Sequence, residues 1–418
     1  MKIACFVCEF PPRIVGGLGT YAAEITREFI KKGHDVSVFT VNDGTLKTRE
    51  IIGGIEVHRP LLVNMSKVLP DLIVDDVRRW GTVGMQFFSE IFVCNILSAS
   101  KFVNQLVLHD KEAFKIIAIH DWLSSIAGIL SKEMLRLPLV FHVHSTEEGR
   151  SLGDGSKTII ELERKAAAHA NAIITVSYAM RDELISLGYP AEKIHVVWNG
   201  VDPAKYNPSN VSPETVQALR RQYGVDDKEK LILCLARLTR VKGVDKMVLA
   251  MPHILQKHPE AKLVLVGKGD MENYLVDLIG SLKLRDKVQF NRSFLPEHER
   301  IAHYAAADVV VFPSLYEPFG IVALEAMSME KPVVVGARGI CGFREIVVPH
   351  GPEQNGFHVN AYDPADIAWG VNSILDDPGR SKILGVNGRQ RVLKEFTWER
   401  AADRTLKIYE QIISEAKS

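Results

Sequence analysis

Two glutamates stand eight residues apart in SLYEPFGIVALEAM, Ser314–Met327: Glu317 and Glu325. Carboxylates about 5–10 Å apart across a glycosidic bond can act as general acid and nucleophile. The structural readings compete: Glu317 as an acid near a helix dipole, Glu325 as an ordinary helical glutamate. A second set is basic. ARLTRVKG offers Arg237, Arg240 and Lys242 in a loop after a strand. Surface solvation is the usual fate of such side chains. Beside a helix N-terminus they suit a diphosphate, Arg as a fork and Lys as a point charge. A third set is imidazole and carboxylate. IIAIHDW ends a strand on His120 and Asp121, and FHVHST ends another on His142 and His144, which share one face because strand side chains repeat every two residues. No third metal ligand follows at a suitable spacing, so no metal site is expected. Finally, Gly16, Gly17 and Gly19 open a helix, where backbone N–H groups can approach a phosphate. The spacing is not G-x-G-x-x-G, and a tight strand–helix turn would use the same glycines.

These residues fall after strands, and the strands come in two series. KIACFVCEF is a buried strand, PPRIVGGLG a loop, TYAAEITREFIKKGH a helix with Tyr21, Ile25 and Phe29 on one side, and DVSVFTV a second strand. Further strands are expected at 116–119, 139–143, 172–176 and 194–198. WNGVDPAKYNPSNVSPE is linker-like, rich in Pro, Asn, Gly and Ser. LILCLARL, TRVKG and VDKMVLAMPHIL then repeat the strand–loop–helix opening, followed by the strand LVLVG and strands at 288–290, 309–312, 332–335 and 356–359. Helices are expected near 271–282, 297–306, 319–329, 365–376 and 380–395. The fold class is therefore α/β, with two Rossmann-like parallel-sheet domains, 1–203 and 204–398. A final amphipathic helix, 399–418, carries Ala402, Leu406, Tyr409 and Ile413 on one face. Open parallel sheets bind ligands at the carboxyl ends of their strands, where these motifs lie.

Bulk properties narrow the class. At 418 residues the chain exceeds one ordinary core. Its 51 basic and 51 acidic residues cancel, which argues against a nucleic-acid partner. No uninterrupted apolar run reaches the roughly 18–20 residues that span a bilayer, and the N-terminus lacks a signal peptide's length and cleavage site. A cytoplasmic location is expected. Cys5 and Cys8 form a C-x-x-C without a second pair, and read as small buried hydrophobes.

YEPFGIVALEAM resembles the E-x7-E signature of retaining nucleotide-sugar glycosyltransferases of GT-B architecture. Together with ARLTRVKGVD, VSYAMRDELISLGYPAEKIHVVWNGVD and FTWERAA it is similar to family 4 over essentially the whole chain. FPPRIVGGLGTYAAEI and HDW resemble glycogen and starch synthases. Ile14 stands where those synthases usually carry a Lys, and Leu123 where a His commonly follows HDW. The resemblance implies two domains facing across a deep cleft, with the last helix returning to the first domain. It implies roles by position. Glu317 would hold donor-sugar hydroxyls and stabilise positive charge at the anomeric carbon, and Glu325 would bind the ribose. Arg237 and Lys242 would neutralise the leaving diphosphate. Gly16, Gly17 and the N–H groups of Phe319, Gly320 and Ile321 would cradle phosphate and sugar. His144 would lie near the donor sugar and Asp121 on the acceptor side.

The chemistry suits that division, because glycosyl transfer develops a cationic sugar and a diphosphate anion. With no D-x-D in the chain, transfer without a metal and without a cofactor is expected. Two acceptor classes stay open. One is an α-glucan or small sugar, with ADP- or UDP-glucose as donor. The other is a surface polysaccharide, glycolipid or sugar-phosphate conjugate, including GDP-mannose donors and peripheral membrane contact. A hydrolase using the two glutamates would leave Arg237, Lys242 and the Gly-Gly loop unexplained. A non-catalytic binder would be expected to lose Glu317, His144 or Lys242.

Overall fold

The computed structural model describes residues 1–65 and 75–416; Lys417 and Ser418, the end of the expected last helix, lie outside them. The chain forms two compact units, one from Met1–Trp198 with the segment from Trp398, the other from Asn199–Thr397.

The first unit is built on an eight-stranded sheet: β1 (Lys2–Phe6), β2 (Asp35–Phe39), β3 (Arg49–Ile52), β4 (Ile55–His58), β5 (Phe114–His120), β6 (Leu139–Val143), β7 (Ala172–Thr175) and β8 (Ile194–Val196). Their order is β3-β4-β2-β1-β5-β6-β7-β8, parallel except for the β3–β4 pair. The β3–β4 hairpin is absent from the sequence reading. Its strands are four residues each, and β3 alternates exposed with half-buried at the sheet edge. The central strands read as unbroken apolar runs because helices cover both faces. Cys5 belongs to that core, and all five cysteines are free and buried.

The helix Trp398–Glu415 buries Ala402, Leu406 and Tyr409, as its periodicity predicts, but Ile412 is buried where Ile413 was expected, and Ile413 is only half-buried. It lies on the helix Gly17–Lys31: Tyr409 meets Phe29 at 6.0 Å between centroids, and Lys32 pairs with Asp403 at 2.7 Å. One expectation needs correction. Gly81–His109 is a continuous 29-residue helical segment whose most apolar 18-residue window has a mean hydropathy of 1.5, long and apolar enough by composition to cross a membrane. The sequence reads 82–108 as a long, weakly apolar helical region, but counting uninterrupted apolar runs does not register it as a span, because Gln86, Glu90 and Asn95 break the run. Half of its most apolar window is buried within this unit, where Met85, Phe88, Ile91 and Cys94 pack with Trp122.

The second unit has six parallel strands: β9 (Lys230–Leu235), β10 (Ala261–Val266), β11 (Val288–Asn291), β12 (Val309–Phe312), β13 (Val333–Gly336) and β14 (Gly356–Val359). Their order is β11-β10-β9-β12-β13-β14. The chain reverses its winding between β9 and β12, the neighbours whose following loops carry ARLTRVKG and YEPFG. Such a switch point opens a crevice at the strand ends. The linker is held inside this unit, where Val201 N–H donates to the Phe396 carbonyl at 3.0 Å.

Candidate active site

In the second unit the two loops are fastened to each other. Lys242 ends the turn Arg240–Lys242, and Gly243 caps the helix Val244–Lys257 with φ at +59°. A β-carbon on Gly243 would lie 2.1 Å from the Pro313 carbonyl oxygen, so only glycine lets the loops come this close. Leu315 N–H donates to the Val241 carbonyl at 2.8 Å. The result places Lys242 Nζ 2.6 Å from Glu317 Oε2, which also accepts from Ser314 Oγ at 3.2 Å. Glu317 is buried, its backbone pinned to Ile340 and Gly342, and its Oε1 has no protein partner among the described residues. The helix starts at Ile321, with Phe319 and Gly320 before it and Gly320 as cap. The N–H groups of Phe319, Gly320 and Ile321 meet no protein acceptor among the described residues, as expected at a helix start. A β-carbon on Gly320, at φ +106°, would overlap the Phe343 ring. Arg237 is exposed and without an ion-pair partner among the described residues. This corner thus offers a buried carboxylate, a cation and free amides to one ligand.

Glu325 sits deeper in the same helix and is occupied by the protein itself. Its Oε1 accepts from Tyr206 Oη at 2.9 Å and lies 3.5 Å from Arg300 Nη2; its Oε2 accepts from Tyr304 Oη at 2.9 Å. Burial and the Glu325 charge push both phenols up, so they remain donors. The sequence reading missed Tyr206, Arg300 and Tyr304. The only local signal is that Arg300 and Tyr304 share a helix face at i, i+4. Tyr206 arrives from the linker and is invisible to spacing.

In the first unit the sites after β1, β5 and β6 converge. Asp121 takes a strained backbone (φ +54°), stabilised because its Oδ1 accepts the His144 N–H at 2.7 Å and its own N–H donates to the His142 carbonyl. The expected neighbours Asp121 and His144 are thus bonded through the backbone. Gly16 departs from its expected role. Its N–H and that of Val15 both donate to Glu9 Oε2 at 3.0 Å, so of the two loop glycines only Gly17 keeps an uncommitted amide.

His120, His142 and His144 have ring nitrogens within 4.8 Å of one another. The third imidazole, which local spacing did not supply, comes from the neighbouring strand through the His120–His142 register pair. The ring nitrogens also meet protein groups. His120 Nδ1 lies 3.1 Å from His144 Nε2, and His120 Nε2 lies 3.4 Å from Cys5 Sγ. His142 faces Tyr409 Oη at 2.7 Å and Tyr21 Oη at 3.3 Å. His142 also stacks on His120 at 4.5 Å. Burial holds all three imidazoles below their usual range, with Asp121 opposing at His144. The three imidazoles are thus neutral, and together they could hold a metal ion, a set of three ligands that the sequence reading did not find.

Glu163 lies under the loop that follows His144. Its Oε1 accepts the Glu147 N–H at 3.0 Å, and Arg150 is 3.6 Å away. Burial raises its carboxyl to about 8, against the Arg150 charge. The folded state thus holds a proton that the unfolded chain releases from about pH 4.5 upward. Stability from this group is full at low pH and falls between about pH 4.5 and 8. Glu163→Gln is expected to melt a few degrees above wild type at pH 9 and level with it at pH 4.5, read by thermal denaturation; an equal difference at both pH values would refute this.

Two family models match the chain: Glycosyltransferase Family 4 over residues 15–205 and Glycosyl transferases group 1 over residues 215–391. An uncharacterized glycosyltransferase of Methanocaldococcus jannaschii is 37% identical over 98% of both chains. An alpha-maltose-1-phosphate synthase of Mycolicibacterium smegmatis is 29% identical over 99% of this chain and 100% of that one. A glycogen synthase of Mycobacterium tuberculosis is 28% identical over 98% and 94%. Among solved structures, sucrose-phosphate synthase from Thermosynechococcus elongatus superposes with a TM-score of 0.80 over 99% of both chains, at 24% identity.

Proposed function

The chain belongs to the family 4 glycosyltransferases of GT-B fold, and from that membership we propose that it transfers a hexose, with retention, from a nucleoside-diphosphate sugar to a saccharide. The observation that carries the reading is the Lys242–Glu317 pair beside the free amides of Phe319–Ile321. A cation, a buried carboxylate and a helix start address the two charges that develop as the sugar–phosphate bond breaks. Lys242 and Arg237 neutralise the diphosphate in place of a metal. Glu317 Oε1 takes a sugar hydroxyl and faces the developing positive charge. Glu325, with one lone pair of Oε2 left, binds a ribose hydroxyl, held in place by Tyr206, Tyr304 and Arg300. His144 and Asp121 serve the sugar and the acceptor side. No side chain is assigned as a covalent nucleophile; the acceptor proton leaves with the diphosphate.

The acceptor we favour is an α-glucan or small sugar, with ADP- or UDP-glucose as donor. The names of the maltose-1-phosphate and glycogen synthase relatives support this choice. A glycogen and maltose elongation assay with both donors tests it, and no transfer to any glucan or sugar would end it. EDTA is expected to leave the rate within about twofold, since cations of the chain itself screen the diphosphate; a collapse restored by Mg²⁺ would assign that screening to an ion. Buried, reduced cysteines support work in the cytoplasm.

A specific observation favours a second reading, in which the acceptor is a glycolipid, surface polysaccharide or sugar-phosphate conjugate. Val83 and Phe87 are exposed on the apolar helical segment, close in sequence to the exposed Arg78 and Arg79. Sedimentation with anionic vesicles, strong at low salt and absent without anionic lipid, would select it.

A further inference from the structure

We infer that Cys5 and His120 are positioning residues that hold His144 as its Nδ1–H tautomer, so that His144 meets the donor sugar as a hydrogen-bond donor and not as a base. The role toward the sugar rests on the function proposed above; the tautomer does not.

The three residues come from three adjacent strands, β1, β5 and the end of β6. His120 is 2% exposed, and both its nitrogens are engaged, Nε2 by Cys5 Sγ at 3.4 Å and Nδ1 by His144 Nε2 at 3.1 Å. A neutral imidazole has one N–H and one acceptor nitrogen, so only two arrangements satisfy both contacts. In the first, the Cys5 thiol donates to His120 Nε2, His120 Nδ1–H donates to His144 Nε2, and the His144 proton sits on Nδ1. In the second every proton is reversed: His144 Nε2–H donates to His120, and His120 Nε2–H points at the Cys5 sulfur.

Acceptor strength decides between them. A thiol sulfur is a weak acceptor and imidazole nitrogen a strong one. The second arrangement uses the His120 N–H on the weak acceptor and leaves a buried S–H without any acceptor among the described residues. The first gives both protons to imidazole nitrogens. Burial pushes the thiol up to about 12, so Cys5 keeps its proton. The ring of Tyr21 packs on His144 at 4.5 Å and on His120 at 5.6 Å, which holds both in register. The His144 backbone N–H is committed to Asp121, while its Nδ1 edge has no protein partner among the described residues and the residue is half-buried.

That edge therefore presents an N–H. It can donate to a sugar hydroxyl, but it cannot accept the acceptor's proton. As the anomeric carbon parts from the phosphate oxygen and bonds the acceptor oxygen, the acceptor's proton passes to the leaving diphosphate.

The test is ¹⁵N-resolved imidazole spectroscopy of the full chain at pH 7.5, with His144 assigned by loss of its signals in His144→Asn. The expected spectrum has the His144 proton on Nδ1; a proton on Nε2 overturns the inference. Cys5→Ala is expected to give mixed tautomers and to lower kcat about tenfold or more with donor KM little changed. Cys5→Ser, whose hydroxyl donates to the same nitrogen, should restore both. A His144 spectrum unchanged in Cys5→Ala would remove Cys5 from the proposal. Turnover absent with every donor beside an Nδ1–H spectrum upholds the tautomer and counts against the function instead.

Discussion

Lys242→Ala is expected to lower kcat by about 10²–10³-fold, the scale seen when one preorganised group facing transition-state charge is removed. Two effects add. The leaving diphosphate loses a fixed cation, and Glu317 is left buried with only Ser314 as partner. The second effect lowers stability, because an unpaired buried carboxylate is costly. The double variant Lys242→Ala/Glu317→Gln separates them. It should melt near wild type yet stay inactive, since removing both charges relieves the fold but not the chemistry. Lys242→Arg should rescue poorly, because a planar fork does not fit a site shaped for a point charge beside one carboxylate oxygen. Steady-state kinetics with each sugar nucleotide, read alongside melting curves, measure this. A double variant that regains activity with stability would show that Lys242 serves only the fold.

Gly243→Ala should do nearly as much damage without touching a charge. The added β-carbon would meet the Pro313 carbonyl at 2.1 Å, in a left-handed conformation that alanine resists. Backbone cannot yield as a flexible side chain does, so the two loops must separate. The expected cost is about 2–4 kcal/mol of stability, together with a fall in kcat approaching that of Lys242→Ala. Nucleotide affinity should suffer less than turnover, because the Glu325 contacts lie on the other side of the helix start and are tied to Tyr206 and Tyr304. Calorimetric titration with the product nucleotides UDP and ADP, beside kcat, distinguishes the two. Unchanged kcat would show that the Lys242–Glu317 contact does not require this close approach.

The elements and the motifs that follow them were legible because periodicity and turn residues act locally. Buried strands read as apolar runs, and β12 (Val309–Phe312) appears at the residues expected of it. The strand–loop–helix opening appears twice, with Gly16 in the first loop and Lys242 in the second. Less of the site was legible. Gly16 looked like a phosphate amide until Glu9, seven residues earlier, proved to hold its N–H. Glu325 looked unpartnered until three donors from two other segments proved to occupy all but one of its lone pairs. The apolar helical segment from Gly81 was legible as a helix over 82–108, but which of its faces packs in the unit was not.

Sequence alone determined what depends on neighbours along the chain: two α/β units, polar and glycine-rich loops after strands, and the motifs that resemble family 4 glycosyltransferases. Tertiary structure decided which of those groups are already paired. Lys242 and Glu317 are 75 residues apart, Cys5 and His120 are 115 apart, and His142 and Tyr409 are 267 apart. The physical reason is that a parallel sheet brings strand ends together in an order set by crossover connections, and no local pattern encodes that order. A hydrogen bond, a tautomer or a buried ion pair exists only once that order has placed donor and acceptor within about 3 Å.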